Sequence, residues 1–255
     1  MASRGEITVP RQNPAVFTAK QWTGLFATIA ELPLPQRIGL WADLAAVEAE
    51  YVADPLGEGP GNGPDPDPLS DFARVDCVTY VEQVYALALA QDYAQFPDTL
   101  RRLRYRDGRI DFRWRNHYLV SDWLPANAWF IRDVTAEVGA TQPMTKTISR
   151  GKFFAGKGLT QYAGLPDEEQ TTRHIPRDQV EQALPNLRTG DLVIFVIDTP
   201  GIIAGHTGII RHPSKIPHVQ HASLNAKRVV TVPLTQYLKD APKRFVGIKI
   251  ARPLP

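Results

Sequence analysis

The apolar positions of this chain change period partway along it. Between 17 and 52 they recur every three or four residues, with Trp22, Leu25, Phe26 and Ile29 on one face, then Ile38, Trp41, Leu44 and Val47. Pro33 and Pro35 break the run, so the pattern predicts two helices rather than one. A third helix is predicted from Val78, with Val81, Tyr85, Ala88 and Leu89 on its apolar face and Glu82 and Gln83 on the other. From Gly190 the period becomes two. β-Branched runs at 191–196, 206–211, 218–222, 228–232 and 245–250, separated by turn residues, predict five strands in an antiparallel sheet or partial barrel. Helices first and strands second give an α+β class.

Two stretches fit neither period. Residues 54–68 hold five prolines and four glycines, so they predict a long loop able to line a cleft. That loop ends an N-terminal helical subdomain (1–68) and leads into the rest of the chain (69–255), the two packing as one compact unit. Residues 103–130 are aromatic and basic, and Asp107-Gly108 within them predicts a hairpin turn. Trp114, Tyr118 and Trp123 there could offer flat faces to a ring, with Arg106, Asn116 and Asp122 supplying hydrogen bonds. Aromatic residues at this density also build core, which is the reading adopted for Trp114.

Composition narrows the classes. A 43% hydrophobic chain of 255 residues is ordinary for a globular protein, and a net charge of +2 gives no field that would gather nucleic acid. The single cysteine excludes an internal disulfide and the paired-cysteine zinc motifs. Met1 to Pro10 contain no apolar stretch of signal-peptide length, and no run of eighteen apolar residues occurs anywhere.

That cysteine stands where the third helix should begin. In Asp76-Cys77-Val78-Thr79 the sulfur falls in the first turn, where unpaired N–H groups and the helix dipole favour a thiolate, the reactive form. A cysteine nucleophile needs a base, and the base needs a group to orient it. His206 opens a predicted strand after Gly205, and His221 lies on the next one, 15 residues on, a separation that a hairpin can place side by side. His212 and His218 fall at the intervening turn, near Pro213 and Pro217, and are expected in solvent.

Asp76-Cys77 at a helix start, Gly190-Asp191 leading into a strand, His206-Thr207-Gly208 and His221-Ala222-Ser223 occur in the order found in the NlpC-type papain-like cell-wall cysteine peptidases, which the chain resembles from about Asp71 to Arg252. Within them, Arg104 to Gly108, His117-Tyr118, Asp122-Trp123 and the ending Gly247 to Arg252 are similar to the N-acetylmuramoyl-L-alanine amidase-like branch. The resemblance implies a papain-like fold with Cys77 as nucleophile, His206 as general base and acid, and His221 as its orienting group. It also implies substrate contacts at His117, Tyr118, Asp122, Trp123, Asp76 and Ser223. The insert 197–205 before His206 is longer than in the simplest members and marks a cleft rim of this chain's own.

The activity so implied is hydrolysis of the amide between N-acetylmuramic acid and L-alanine in muropeptides, through a cysteine thioester and without a cofactor or metal. Peptidoglycan fragments are then the partner, and a periplasmic or extracellular setting follows from the substrate rather than from a targeting signal. Three rivals stand beside it: a γ-D-glutamyl-diaminopimelate endopeptidase of the same superfamily, a zinc hydrolase using His206, His218 and His221, and a catalytically silent wall-binding module.

Overall fold

A computed structural model describes residues 12–56, 65 and 69–255. Met1 to Pro10 and most of the Pro/Gly-rich loop therefore lie outside the described residues. The described helices are α1 (Ala19–Ile29), α2 (Leu34–Ala46), α3 (Cys77–Leu89), α4 (Phe96–Arg104), α5 (Leu124–Ala126), α6 (Thr135–Val138), α7 (Arg150–Gly156), α8 (Val180–Ala183) and α9 (Leu234–Asp240). The strands are β1 (Glu50–Tyr51), β2 (Arg74–Val75), β3 (Ile131–Asp133), β4 (Gln142–Ile148), β5 (Glu168–Pro176), β6 (Leu192–Thr199), β7 (Ile202–Arg211), β8 (His218–Ser223), β9 (Arg228–Pro233) and β10 (Phe245–Pro253).

The five expected strands are β6 to β10, but they are half of a larger sheet. Its order is β2-β1-β9-β8-β7-β6-β10-β5-β4, with β3 pairing the outer half of β10. Among the described strands only β1 and β2 run parallel, so the sheet is mixed, and it curls into a half-barrel. The strands that the sequence pattern missed have physical reasons to hide. Strands β1 and β2 are two residues long, and β4 and β5 form a partly solvated ribbon whose polar Thr, Gln and Glu side chains carry no hydrophobic alternation. The Asp107-Gly108 hairpin is not formed. Asp107 and Gly108 do take left-handed conformations (φ 54° and 64°), but they turn a wide loop closed by one bridge, Tyr105 to Arg115.

The core forms on both faces of the sheet. Along β6, Leu192, Ile194 and Val196 join α1, α2 and α3 on one face, while Val193, Phe195 and Ile197 join α8 and α9 on the other. Helix α3 runs through the middle of the first layer. Its Val81, Val84, Tyr85 and Leu87 are fully buried, each contributing about 2 kcal/mol from apolar burial. Glu82 and Gln83 were expected on a polar face, yet both are buried as well, because α4 and the segment after it cover that side. Glu82 is paired there with Arg104 at 2.6 Å and accepts a 3.1 Å hydrogen bond from Trp123 Nε1. Among the described residues no helix is long and apolar enough to cross a membrane.

Candidate active site

Cys77 is the first residue of α3, and its position is fixed by the residue before it. Asp76 Oδ1 accepts from the N–H groups of Val78 (2.9 Å) and Thr79 (2.7 Å), and Thr79 Oγ1 accepts in return from the N–H of Asp76 (2.9 Å). This reciprocal cap starts α3 at Cys77 and leaves the thiol at the helix mouth. The N–H groups of Thr207, Cys77 and Val78 bond the sulfur and favour its charged form. Burial outweighs them, the Asp76 carboxylate adds to it, and together they push the thiol up to about 12. The expected stabilisation of a thiolate is thus outweighed: the helix end supplies donors, but burial of the sulfur and the acidic cap favour the protonated form.

His206 is aimed by a β-bulge. Phe195 pairs with His206 and Val196 with Ala204, leaving Gly205 without a partner across the β6–β7 ladder. A Cβ on Gly205 would lie 2.4 Å from Ile197 Cγ2, so the kink needs glycine. On the other side Gly208 lets β8 approach, since a Cβ there would meet Val219 at 2.6 Å and the Cβ of His221 at 3.0 Å. As a result His206 Nε2 and His221 Nδ1 stand 2.8 Å apart, sharing one N–H between two rings. Burial lowers His206 to about 3, with the charge of His221 as a second cause, and burial lowers His221 to about 4. Both imidazoles are neutral at pH 7. Tyr237 packs on them both, with ring centroids 5.7 Å from His206 and 4.8 Å from His221, and Phe195 stacks on His206 at 5.7 Å.

Cys77, His206 and Thr207 open into one cavity of about 220 Å³. Its rim on one side is Ile202 to Gly205, the start of β7 within the 197–205 insert; its far wall is His117 to Ser121, with Phe153 from α7. Residues 119–123 form a single π-helical turn, a widening that turns Leu119, Val120 and Ser121 toward the cavity.

Of the expected substrate contacts, the structure brings His117 and Tyr118 to the cavity wall. The His117 ring bonds the carbonyl of Phe112 (2.6 Å), packs on Phe112 and Phe153, and is lowered to about 4 by burial. Asp122 lies behind this wall, accepting from the Tyr118 N–H and from Arg150 Nη1, both at 3.1 Å. Trp123 is completely buried against Glu82 and shows no face to the cavity. The Asp76 carboxylate is engaged in the helix cap, and Ser223 Oγ closes the β8–β9 turn by accepting from Ala226 N–H at 3.2 Å. Trp114, expected in the core, is instead half-exposed beside three arginines. Sequence reasoning missed Tyr51 and Tyr237, whose hydroxyl pKa values are raised by burial and then by proximity to Cys77. Neither carries a local signal, because each arrives from an element remote in sequence.

Among the described residues no group of three or more His, Cys, Asp and Glu side chains is placed to hold a metal ion. His218, the third histidine of a zinc set, directs Nδ1 to the carbonyl of Ile216 (2.8 Å) near the exposed turn.

A family model described as AmiA-like, N-acetylmuramoyl-L-alanine amidase-like, matches residues 45–248. Among solved structures, a Legionella pneumophila protein shares the fold, with a TM-score of 0.81 over 93% of this chain and 94% of its own at 20% identity. An N-acetylmuramoyl-L-alanine amidase from Bacteroides uniformis is 28% identical with a TM-score of 0.69, over 87% of this chain and 99% of its own. A Bacteroides fragilis protein proposed to be a xylanase is also 28% identical, with a TM-score of 0.66 over 83% of this chain and 99% of its own. No curated protein matches the chain.

Proposed function

The chain belongs to the N-acetylmuramoyl-L-alanine amidase-like family, and from that premise we propose that it hydrolyses the amide between the lactyl group of N-acetylmuramic acid and L-alanine in muropeptides, with Cys77 as nucleophile. The observation that carries this reading is the opening of Cys77 and His206 into one cavity, with His206 held through Nε2 by His221 at 2.8 Å. A nucleophile-bearing helix packed on an antiparallel hairpin that supplies both histidines also supports placement in the NlpC-type, papain-like superfamily.

The chemistry follows from the perturbed groups. A thiol raised to about 12 and an imidazole lowered to about 3 each resist charge alone. When the Sγ proton moves to the remaining ring nitrogen of His206, the two charges stabilise one another, and His221 accepts from the imidazolium through Nδ1. The thiolate attacks the lactyl carbonyl carbon, and the oxyanion meets the Cys77 N–H, a donor of a kind worth about 3 kcal/mol of barrier. His206 then protonates the amine nitrogen of L-alanine as the C–N bond breaks, leaving a thioester. Water attacks the thioester, gives a proton to His206, and the acid departs as the proton returns to sulfur.

The xylanase name attached to one relative fits this cavity poorly. Glycoside hydrolysis uses a pair of carboxyl groups, and among the described residues no Asp or Glu lines the cavity around Cys77. The deciding experiment is mass spectrometry of muropeptides incubated with the wild type and with Cys77→Ala. Release of intact stem peptide by the wild type alone is expected; a product retaining sugar and L-alanine together would assign the endopeptidase reaction instead.

A further inference from the structure

A second cavity, of about 370 Å³, lies on the other side of the His117–Tyr118–Ser121 wall and shares those three residues with the first. Four guanidinium groups line it, from Arg106, Arg113, Arg115 and Arg150. Two of them are neutralised locally. Arg115 pairs with Asp65 at 2.8 Å, and Arg150 pairs with Asp122 at 2.8 Å and Glu168 at 3.4 Å.

The other two are not. Arg106 comes no closer than 3.8 Å to Asp122, a carboxylate already held by Arg150, and among the described residues Arg113 pairs with no carboxylate. Both instead flank the Trp114 ring, at 6.0 Å and 5.0 Å from its centroid, and Arg109 sits over it at 4.2 Å. Arg113 also lies over the Tyr162 ring at 4.2 Å. Three like charges gathered on one indole, two of them facing a cavity, repel one another unless an anion enters. The rings of Trp114 and Tyr162 restrict where these guanidinium groups can lie, and a planar guanidinium can take a carboxylate with two parallel hydrogen bonds.

We propose that Arg106 and Arg113 form an anion subsite that holds carboxylates of the stem peptide while Cys77 attacks the sugar-linked amide. This rests on the muramoyl amide reading. Charge decides which side of the substrate goes there. In that substrate the sugar side offers hydroxyl and acetamido groups, whereas the stem carries the free carboxylates of its D-glutamate and of the residues beyond. The thin shared wall puts the charged end of the stem in the cavity next to the one that holds its N-terminal alanine. Asp122 serves as the positioning residue that fixes Arg150 and the Tyr118 backbone at that wall.

The test uses the tripeptide L-alanyl-γ-D-glutamyl-meso-diaminopimelate and the same peptide with its carboxylates converted to carboxamides. Calorimetric binding to Cys77→Ala protein is expected to favour the carboxylate form by about 10-fold, and Arg106→Gln with Arg113→Gln is expected to abolish the preference. Equal affinity for the two peptides, no binding of either, or a preference that survives the double change would overturn the subsite. In the catalytic arm, the double variant is expected to raise KM for carboxylate muropeptides with kcat unchanged, and to leave turnover of amidated muropeptides as in the wild type, which also reports that it folds. An equal loss on both substrates would overturn the subsite while leaving the bond assignment standing. Failure of the wild type to cut any muropeptide would remove the amidase reading, and the tripeptide preference would still decide the subsite.

Discussion

Two turns of one helix handle buried polar groups in opposite ways. At Glu82, in the middle of α3, the carboxylate has an arginine at 2.6 Å and an indole N–H at 3.1 Å, and Arg104 is further bonded to the Leu69 carbonyl. At Cys77, burial and then the Asp76 charge favour the neutral thiol, burial and then His221 favour the neutral imidazole of His206, and among the described residues no opposite charge is paired with either. The first arrangement pairs two charges in the resting fold, although Arg104 Nη2 has no hydrogen-bond partner among the described residues and burial still holds the Glu82 carboxyl above the usual carboxylate range. On the proposed mechanism the second becomes charged only as a pair, through a proton transfer. Glu82 is thus closed off with a charged partner, whereas Cys77 and His206 are half-buried at the wall of a cavity.

The largest effect should separate these turns cleanly. Cys77→Ser is expected to lower kcat by at least about 10³-fold, since the alkoxide is far harder to form in the same dry pocket, while the urea midpoint barely moves. Glu82→Gln should do the reverse, costing about 3–5 kcal/mol of stability by leaving Arg104 buried without its counter-charge. Its kcat, measured at a temperature where it is folded, should stay within a few-fold. A Glu82 variant that is stable but inactive would erase the distinction.

The pH dependence of folding sharpens it further. His206 sits at about 3, His221 at about 4 and His117 at about 4, all below the value near 6.5 of an unfolded chain. Above that value all are neutral in both states, and their full contribution to stability is present. As pH falls below it, the unfolded chain takes up protons that the folded one refuses, so stability drops until the folded values are reached. Each histidine should contribute roughly 1.4 kcal/mol per pH unit in that window. Urea unfolding at pH 7, 6 and 5 checks it. His117→Phe, suited to its aromatic surroundings, should flatten the slope by one histidine's share; an unchanged slope would refute its neutral burial.

How much of this could be read from the sequence follows the same division. Cys77 at a helix start and His206 beside His221 were legible because each rests on local signals: a cap, a bulge glycine, and hairpin spacing. Helices α1 and α2 and strands β6 to β10 were legible through their periods. Glu82 was misjudged because period alone cannot tell that α4 covers the second face of α3. Trp123 and Trp114 were exchanged in role for a related reason: whether an indole is core depends on what the chain lays over it, and arginines rather than aliphatic residues gathered at Trp114. The approach of Tyr51 and Tyr237 to Cys77 is set by elements remote in sequence, which no local pattern encodes.

The smallest effect lies at the boundary between the two turns, in the cap itself. Asp76 does two things at once: its Oδ1 accepts the N–H groups of Val78 and Thr79, and its charge is the second cause of the raised thiol. Asp76→Asn separates them, because an amide oxygen can keep both hydrogen bonds while the charge is gone. Stability should then change by less than about 1 kcal/mol. The pH midpoint for alkylation of Cys77 by iodoacetamide should move down, because the negative charge that disfavours the thiolate is gone. Asp76→Ala should give the same downward shift together with the loss of the cap, about 1 kcal/mol. If the midpoint stayed where it is in the wild type, burial alone would set the thiol, and the acidic residue before Cys77 would serve only to start the helix.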